Sequence, residues 1–138
     1  MNKEELKALI RELLAEEISP CPVKLRKLPE IAVCPEDRLD TGDPHHQVYT
    51  HDIFSLTESP RLGAGIMEMK ATEFPWHLRY DEMDYVIEGE LTVKYGDTSV
   101  TAKAGELIYI PKDSRISFCV PKSARFLYLT YPADWQGQ

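Results

Sequence analysis

The chain has 138 residues, 43% of them hydrophobic, and a formal net charge of −7. That length and apolar share suit one domain with a real core, and the acidity would repel a phosphate backbone, which excludes nucleic acid as a partner. No apolar run nears the roughly 20 residues of a membrane span and no basic-then-apolar signal opens the chain, so a cytoplasmic location without a membrane partner is expected.

Residues 1–18 read as an amphipathic helix. Leu6, Leu9, Ile10, Leu13, Leu14 and Ile18 recur at three- and four-residue spacing between Lys and Glu. Asn2 is placed to cap it, with Glu5 at the third helical position. Residues 19–44 hold Pro20, Pro22, Pro29, Pro35 and Pro44 and read as an extended connector. Two readings of the helix stand: its apolar stripe packs on the following domain or across a dimer, or it is a docking element on a proline-rich leash. The second pattern resembles the terminal peptides that direct enzymes into bacterial microcompartments.

From residue 45 to 138 the signals become short β-rich runs at 47–50, 63–70, 74–79, 83–87, 90–95, 98–103, 107–110, 115–120 and 125–131. Glu88-Gly89-Glu90 and Tyr95-Gly96-Asp97-Thr98 read as hairpin turns, and Pro111-Lys112-Asp113-Ser114 as a tight connection. Eight or nine strands in so short a stretch predict an all-β sandwich or barrel. Cys21, Cys34 and Cys119 are an odd number at irregular spacing and read as reduced thiols.

The run Phe74–Gly89, FPWHLRYDEMDYVIEG, has the frame of the first cupin motif: two His one residue apart, then Glu, then six residues and Gly. Glu82 and Gly89 fit. The His positions fall on Pro75 and His77, or on Trp76 and Leu78, so at most one histidine survives. The second motif fits from Gly105 to Pro111, but its ligand position is Ile116. A transition-metal site needs about three or four converging donors. The chain offers Glu82 and at best His77, and Cys119 is an odd number of residues from Ile116 and faces the other way. A cupin jelly-roll barrel without a transition metal is the expectation.

Strand alternation puts Asp84 on the same face as Glu82. If both point inward, each disfavours the other's charge, and one is suited to hold a proton near neutral pH. The alternative is a pair neutralised by Lys, Arg or Tyr. Glu68 is a charge within Gly65–Met69, either a third acid or an outward residue between inward methionines. Trp76, His77 and Tyr80 enter the motif where a small-molecule ligand would stack or hydrogen-bond. Ser114, Ile116 and Phe118 share the parity of the lost ligand position and are expected to line the pocket. Asp40-Thr41-Gly42 matches the aspartic-protease triplet, but Arg38, Asp43 and Pro44 surround it and it reads as a turn. His45, His46 and His51 show no metal-ligand spacing.

DTG at 40–42, SPRLGAGIMEM at 59–69, FPW with YDEMDYVIEGEL at 74–91, AGELIYIPKDSRISF at 104–118 and FLYLTYPADW at 126–135 together resemble the EutQ family of ethanolamine-utilisation proteins. The resemblance implies a microcompartment-associated cupin that lacks metal-binding histidines, forms a homodimer and has acetate kinase activity with ATP and Mg²⁺. On that reading Glu68, Glu82 and Asp84 hold the ion or act as acid/base groups, and Tyr80, Trp76 and His77 position substrate. The competing expectation is a non-catalytic cupin that binds a metabolite or assembles with shell or cargo proteins.

Overall fold

The computed structural model describes residues 2–17 and 21–138. Helix α1 spans Lys3–Glu17; the expected continuation through Ile18, and Pro20 of the connector, lie outside the described residues. The Asn2 Oδ1 accepts from the Glu5 amide at 2.8 Å while Asn2 N donates to Glu5 Oε2 at 3.1 Å, the reciprocal cap expected from this pair. Leu6, Leu9, Ile10 and Leu13 are all exposed, so the barrel does not cover this part of the stripe.

Six strands follow: β1 (Gln47–Asp52), β2 (Gly63–Leu78), β3 (Asp81–Tyr95), β4 (Thr98–Lys103), β5 (Leu107–Ile110) and β6 (Ser114–Tyr131). Six pairs of these boundaries replace the nine short runs read from sequence, because 63–70 with 74–79, 83–87 with 90–95, and 115–120 with 125–131 each fuse into one bent strand. The bends have local causes. Ala71 takes φ 46° where the β2–β6 register shifts between Lys70 and Thr72. In β3, Gly89 takes φ 78° between two register shifts, and a Cβ there would lie 2.0 Å from the Ser123 carbonyl oxygen. Only glycine satisfies both demands. Glu88-Gly89-Glu90 is therefore a kink inside β3, not the hairpin turn expected, whereas Tyr95-Gly96-Asp97-Thr98 does join β3 to β4.

Each long strand pairs differently on either side of its bend, which makes two layers. The first halves of β2 and β3 and the second half of β6 pair with β1 and β5, in the order β1-β2-β6-β3-β5. In the other layer the second half of β2 pairs with the first half of β6, β6 with the second half of β3, and β3 with β4, in the order β2-β6-β3-β4. Between the layers lie Val48, Met69, Phe74, Leu91 and Phe126, all at most 2% exposed. Burying a side chain of this size contributes about 1.5–3 kcal/mol.

The connector is fastened to the barrel. Arg125 donates through Nη2 to the carbonyls of Leu28 (3.0 Å) and Ile31 (2.7 Å), and Leu39 N donates to Val48 O at 2.9 Å. Asp40-Thr41-Gly42 is a turn, closed by the Gly42 amide donating to Asp40 Oδ1 at 2.9 Å with Gly42 at φ 90°.

Candidate functional site

Alternation in β3 turns Glu82, Asp84 and Val86 inward and leaves Met83 and Tyr85 exposed, as the sequence pattern predicts. Glu82 lies opposite Ile110 and Thr130, and Asp84 opposite Ile108 and Tyr128. Glu82 is 5% exposed and Asp84 fully buried. Among the described residues, Glu82 Oε2, both Asp84 oxygens and Thr130 Oγ1 have no hydrogen-bond partner. The neutralising Lys, Arg or Tyr that would make this a satisfied network is not there. Burial pushes the Glu82 carboxyl well above the usual carboxylate range, and the charge of Asp84 pushes it further. Burial raises Asp84 to about 7. The two acids titrate as one pair, and both are shifted toward the protonated form.

Glu82 borders a small cavity, about 10 Å³, close to the room one water needs, walled by the rings of Phe74, Trp76, Tyr80, Phe118, Tyr128 and Trp135 together with Leu39, Thr50 and Met67. The polar atoms of the rings bond to one another or outward. Trp76 Nε1 donates to the Tyr80 hydroxyl at 2.8 Å, and Tyr128 Oη (2.6 Å) and Trp135 Nε1 (3.3 Å) both donate to Asp52 Oδ1. Burial raises both phenols above their ordinary pKa, so Tyr80 and Tyr128 stay neutral. Glycines make room for this arrangement: a Cβ on Gly65 would stand 2.0 Å from Tyr128 Cζ, and one on Gly63 2.2 Å from Thr130 Oγ1.

Trp76, Tyr80 and Trp135 also form the floor of a larger outer cleft of about 380 Å³, whose rim carries Thr41, His77, Arg79 and the C-terminal Gln136 and Gln138. The three rings therefore separate the solvent-facing cleft from the buried acids.

Of the residues singled out from sequence, the fold brings together Glu82, Asp84, Tyr80, Trp76 and Phe118. His77 belongs to the outer cleft. Glu68 is on the other face of β2, where Arg125 Nη1 donates to its Oε1 at 2.9 Å; it does not join the acid pair, because Met67 and Met69 take the inward positions. Ser114 turns back, donating to the Pro111 carbonyl at 2.6 Å, and with Ile116 borders a separate apolar recess next to Tyr95 and Tyr109. His45 and His46 lie against Asp43, and His51 against Asp37. Sequence reading missed Tyr128, Thr130, Asp52 and Trp135. Parity with the apolar Phe126 would have pointed to Tyr128 and Thr130.

Magnesium, implied by the resemblance, demands near-octahedral oxygen coordination and keeps several waters. Glu82 and Asp84 look into a space of one water among rings, and Glu68 is on the opposite face, so these three do not fit it. Among the described residues no group of three or more His, Cys, Asp or Glu could hold a metal ion.

Two bent layers with an acid-bearing, ring-walled interior define a cupin. A cupin domain from Schizosaccharomyces pombe Cnp3 superposes with a TM-score of 0.60 at 18% identity, covering 78% of this chain and 73% of that one, which shows the shared fold. The family model of ethanolamine utilisation protein EutQ matches residues 1–137. The chain belongs to the EutQ family. It is 48% identical to the acetate kinase EutQ of Clostridioides difficile, over all of this chain and 96% of that protein. A solved Clostridium difficile EutQ structure matches with a TM-score of 0.85 and 55% identity, covering 87% of this chain and 88% of that one. Against the acetate kinase EutQ of Salmonella typhimurium the identity is 43%, over 72% of this chain but 43% of that longer protein.

Proposed function

We propose that this EutQ cupin is an acetate kinase, interconverting acetate and ATP with acetyl phosphate and ADP, and that the reaction takes place in the outer cleft. The observation that carries this reading is the end-to-end similarity to a relative bearing that name. In the reaction an acetate oxygen attacks the γ-phosphorus of ATP, and the oxygen bridging the β- and γ-phosphates leaves on ADP. Acetate is already ionised at neutral pH, so no general base is required. Two anions must instead be brought together, and Arg79 is the guanidinium on the cleft's rim, with His77 beside it. The inner cavity is far too small for a nucleotide. Glu82 and Asp84 are therefore positioning groups beneath the Trp76–Tyr80 floor in this reading.

The test is ATP-dependent acetyl phosphate formation by the purified protein. Turnover that falls about 100-fold in Arg79→Ala is expected. Turnover no higher than background, or an Arg79→Ala variant as active as the parent, refutes the proposal.

A non-catalytic, metabolite-binding cupin is the second reading, and the buried carboxyl and hydroxyl oxygens without a hydrogen-bond partner favour it, because a polar ligand would meet them.

We also infer a homodimer and microcompartment association. Met83, Tyr85, Leu107, Tyr109, Leu129 and Tyr131 are exposed on the outer face of β3, β5 and β6, and register makes Met83 the neighbour of Tyr109 and Leu129. Such a continuous apolar face on a sheet suits a second copy. Met83→Lys with Leu129→Lys is expected to yield a monomer in sedimentation, and an unchanged mass refutes this face. The exposed Leu6, Leu9, Ile10 and Leu13 support a docking role for residues 1–18 toward shell or cargo proteins. Unchanged localisation after deletion of 1–18 would refute it. Among the described residues no helix is long and apolar enough to cross a membrane.

A further inference from the structure

The turn at residues 40–46 is braced from several sides. Arg38 Nη2 donates to the carbonyls of Asp43 (2.8 Å) and His46 (3.1 Å), the Gly42 amide donates to Asp40 Oδ1, and the His46 amide donates to Asp43 O at 3.2 Å. The bracing holds a hydroxyl, an imidazole and a carboxylate in a row. Thr41 Oγ1 is 2.7 Å from His46 Nδ1, and His46 Nε2 faces Asp43 Oδ2 at 3.5 Å. The His45 amide donates to the other Asp43 oxygen at 2.8 Å and holds that carboxyl below its usual range, so Asp43 is an anion at neutral pH. The imidazole also stands against the buried Phe74 ring, with centres 6.1 Å apart.

These contacts settle where the ring carries its proton. An ionised carboxylate only accepts, so the neutral imidazole keeps its proton on Nε2, toward Asp43, and Nδ1 is left to accept from the Thr41 hydroxyl. The Asp43 carbonyl, at 3.5 Å from that hydroxyl, is too distant to compete. A hydroxyl that donates to a ring nitrogen backed by a carboxylate has the arrangement of an activated nucleophile. Thr41 is half-buried and borders the outer cleft. In a chain of net charge −7, the described lining of that cleft carries Arg79 and His77 but no Asp or Glu.

The cleft's charges select among phosphoryl donors. One guanidinium without carboxylates suits a small dianion better than a triphosphate of far greater charge. An acyl phosphate is such a dianion, and its leaving group is a carboxylate, which departs without taking a proton. The proton that must move is the threonine's, and His46 is placed to take it.

We propose that Thr41 is a nucleophile that accepts the phosphoryl group of an acyl phosphate bound in the outer cleft. Its oxygen bonds to phosphorus, the bond from phosphorus to the acyl oxygen breaks with the electron pair leaving on the carboxylate, and the hydroxyl proton passes to His46 Nδ1. An anhydride becomes an ester, so the transfer runs downhill without a nucleotide. Asp43 is a positioning residue that keeps the ring in the productive tautomer and faces the imidazolium that forms. Arg79 is the donor to the phosphoryl oxygens.

This inference deepens the kinase reading, from which it takes the acyl phosphate in this cleft, but its test supplies that compound directly. The full chain is incubated with acetyl phosphate and no nucleotide, intact mass is followed with time, and fragmentation locates the change. Expected is the gain of one phosphoryl group on Thr41, absent in Thr41→Val and kept in Thr41→Ser. His46→Gln should label about 100-fold more slowly and lose the parent's rise of rate with pH. Asp43→Asn should slow labelling and move the pH profile lower, because the imidazolium loses the carboxylate that faces it. No gain, a phosphoryl group only on another residue, an acetyl group on Thr41 in its place, or parent-like labelling of His46→Gln overturns the proposal. Labelling without ATP-dependent acetyl phosphate formation refutes the kinase reading only. Acetyl phosphate formation by a chain that this compound never labels refutes only the present inference.

Discussion

Replacing Asp84 by Asn should change how stability depends on pH, in a direction set by burial. An acid whose pKa is higher folded than unfolded binds more protons in the folded state. Its contribution is complete below the unfolded pKa and is lost as pH rises toward the folded one. For Asp84 the window runs from 3.8 to about 7. That is a rise of about three units, and at about 1.36 kcal/mol per unit the parent protein loses on the order of 4 kcal/mol of stability across it. Asparagine keeps the shape and has no proton to exchange. Urea unfolding of both proteins between about pH 4 and pH 8 should show the variant gaining on the parent by on the order of 4 kcal/mol, with the titrations of groups remote from the pair cancelling in the difference. Glu82 adds to the measured gain, because without the Asp84 charge its own folded pKa drops and it loses less stability as pH rises, and Glu82→Gln with Asp84→Asn should flatten the curve further. Parallel curves for Asp84→Asn and parent would refute the claim that this acid is buried without a partner.

Other substitutions test the packing around the site. Gly65→Ala drives a methyl into the Tyr128 ring and should destabilise by about 3 kcal/mol or more in thermal unfolding, while at exposed Gly96, whose Cβ would meet nothing within 4 Å, Gly96→Ala should cost only the backbone penalty of φ 56°. Tyr128→Phe removes the donor nearer to Asp52 and should cost about 1.5–3 kcal/mol, measured by urea unfolding. Arg125→Ala strips the connector carbonyls of Leu28 and Ile31 of their donor, so limited proteolysis should cut within residues 21–37 faster than in the parent.

Features that depend on neighbours along the chain were legible from the order of residues. Period-two alternation was enough to pair Glu82 with Asp84 on one face and to turn Met83 and Tyr85 the other way, since successive Cβ atoms point to opposite sides of any strand. Glycine at 89 and 96 marked real breaks in the backbone, but local chemistry could not separate a kink within a strand from a turn between two. Gly89 became a kink because Ser123, far along the chain, runs directly beneath it. The remaining features of the site are pairings between distant segments. Glu68 found Arg125, and Tyr128 and Trp135 found Asp52, through the registers of β1 and β6 against β2. Ser114 shares the parity of Phe118, yet the bend of β6 and the turn at Pro111 put the two in different recesses. Parity is fixed by the covalent geometry of a strand, and so it can be read from residues in order. Which face is closed off from water, and by whose rings, depends on how strands that are remote in sequence come together, and no local pattern carries that.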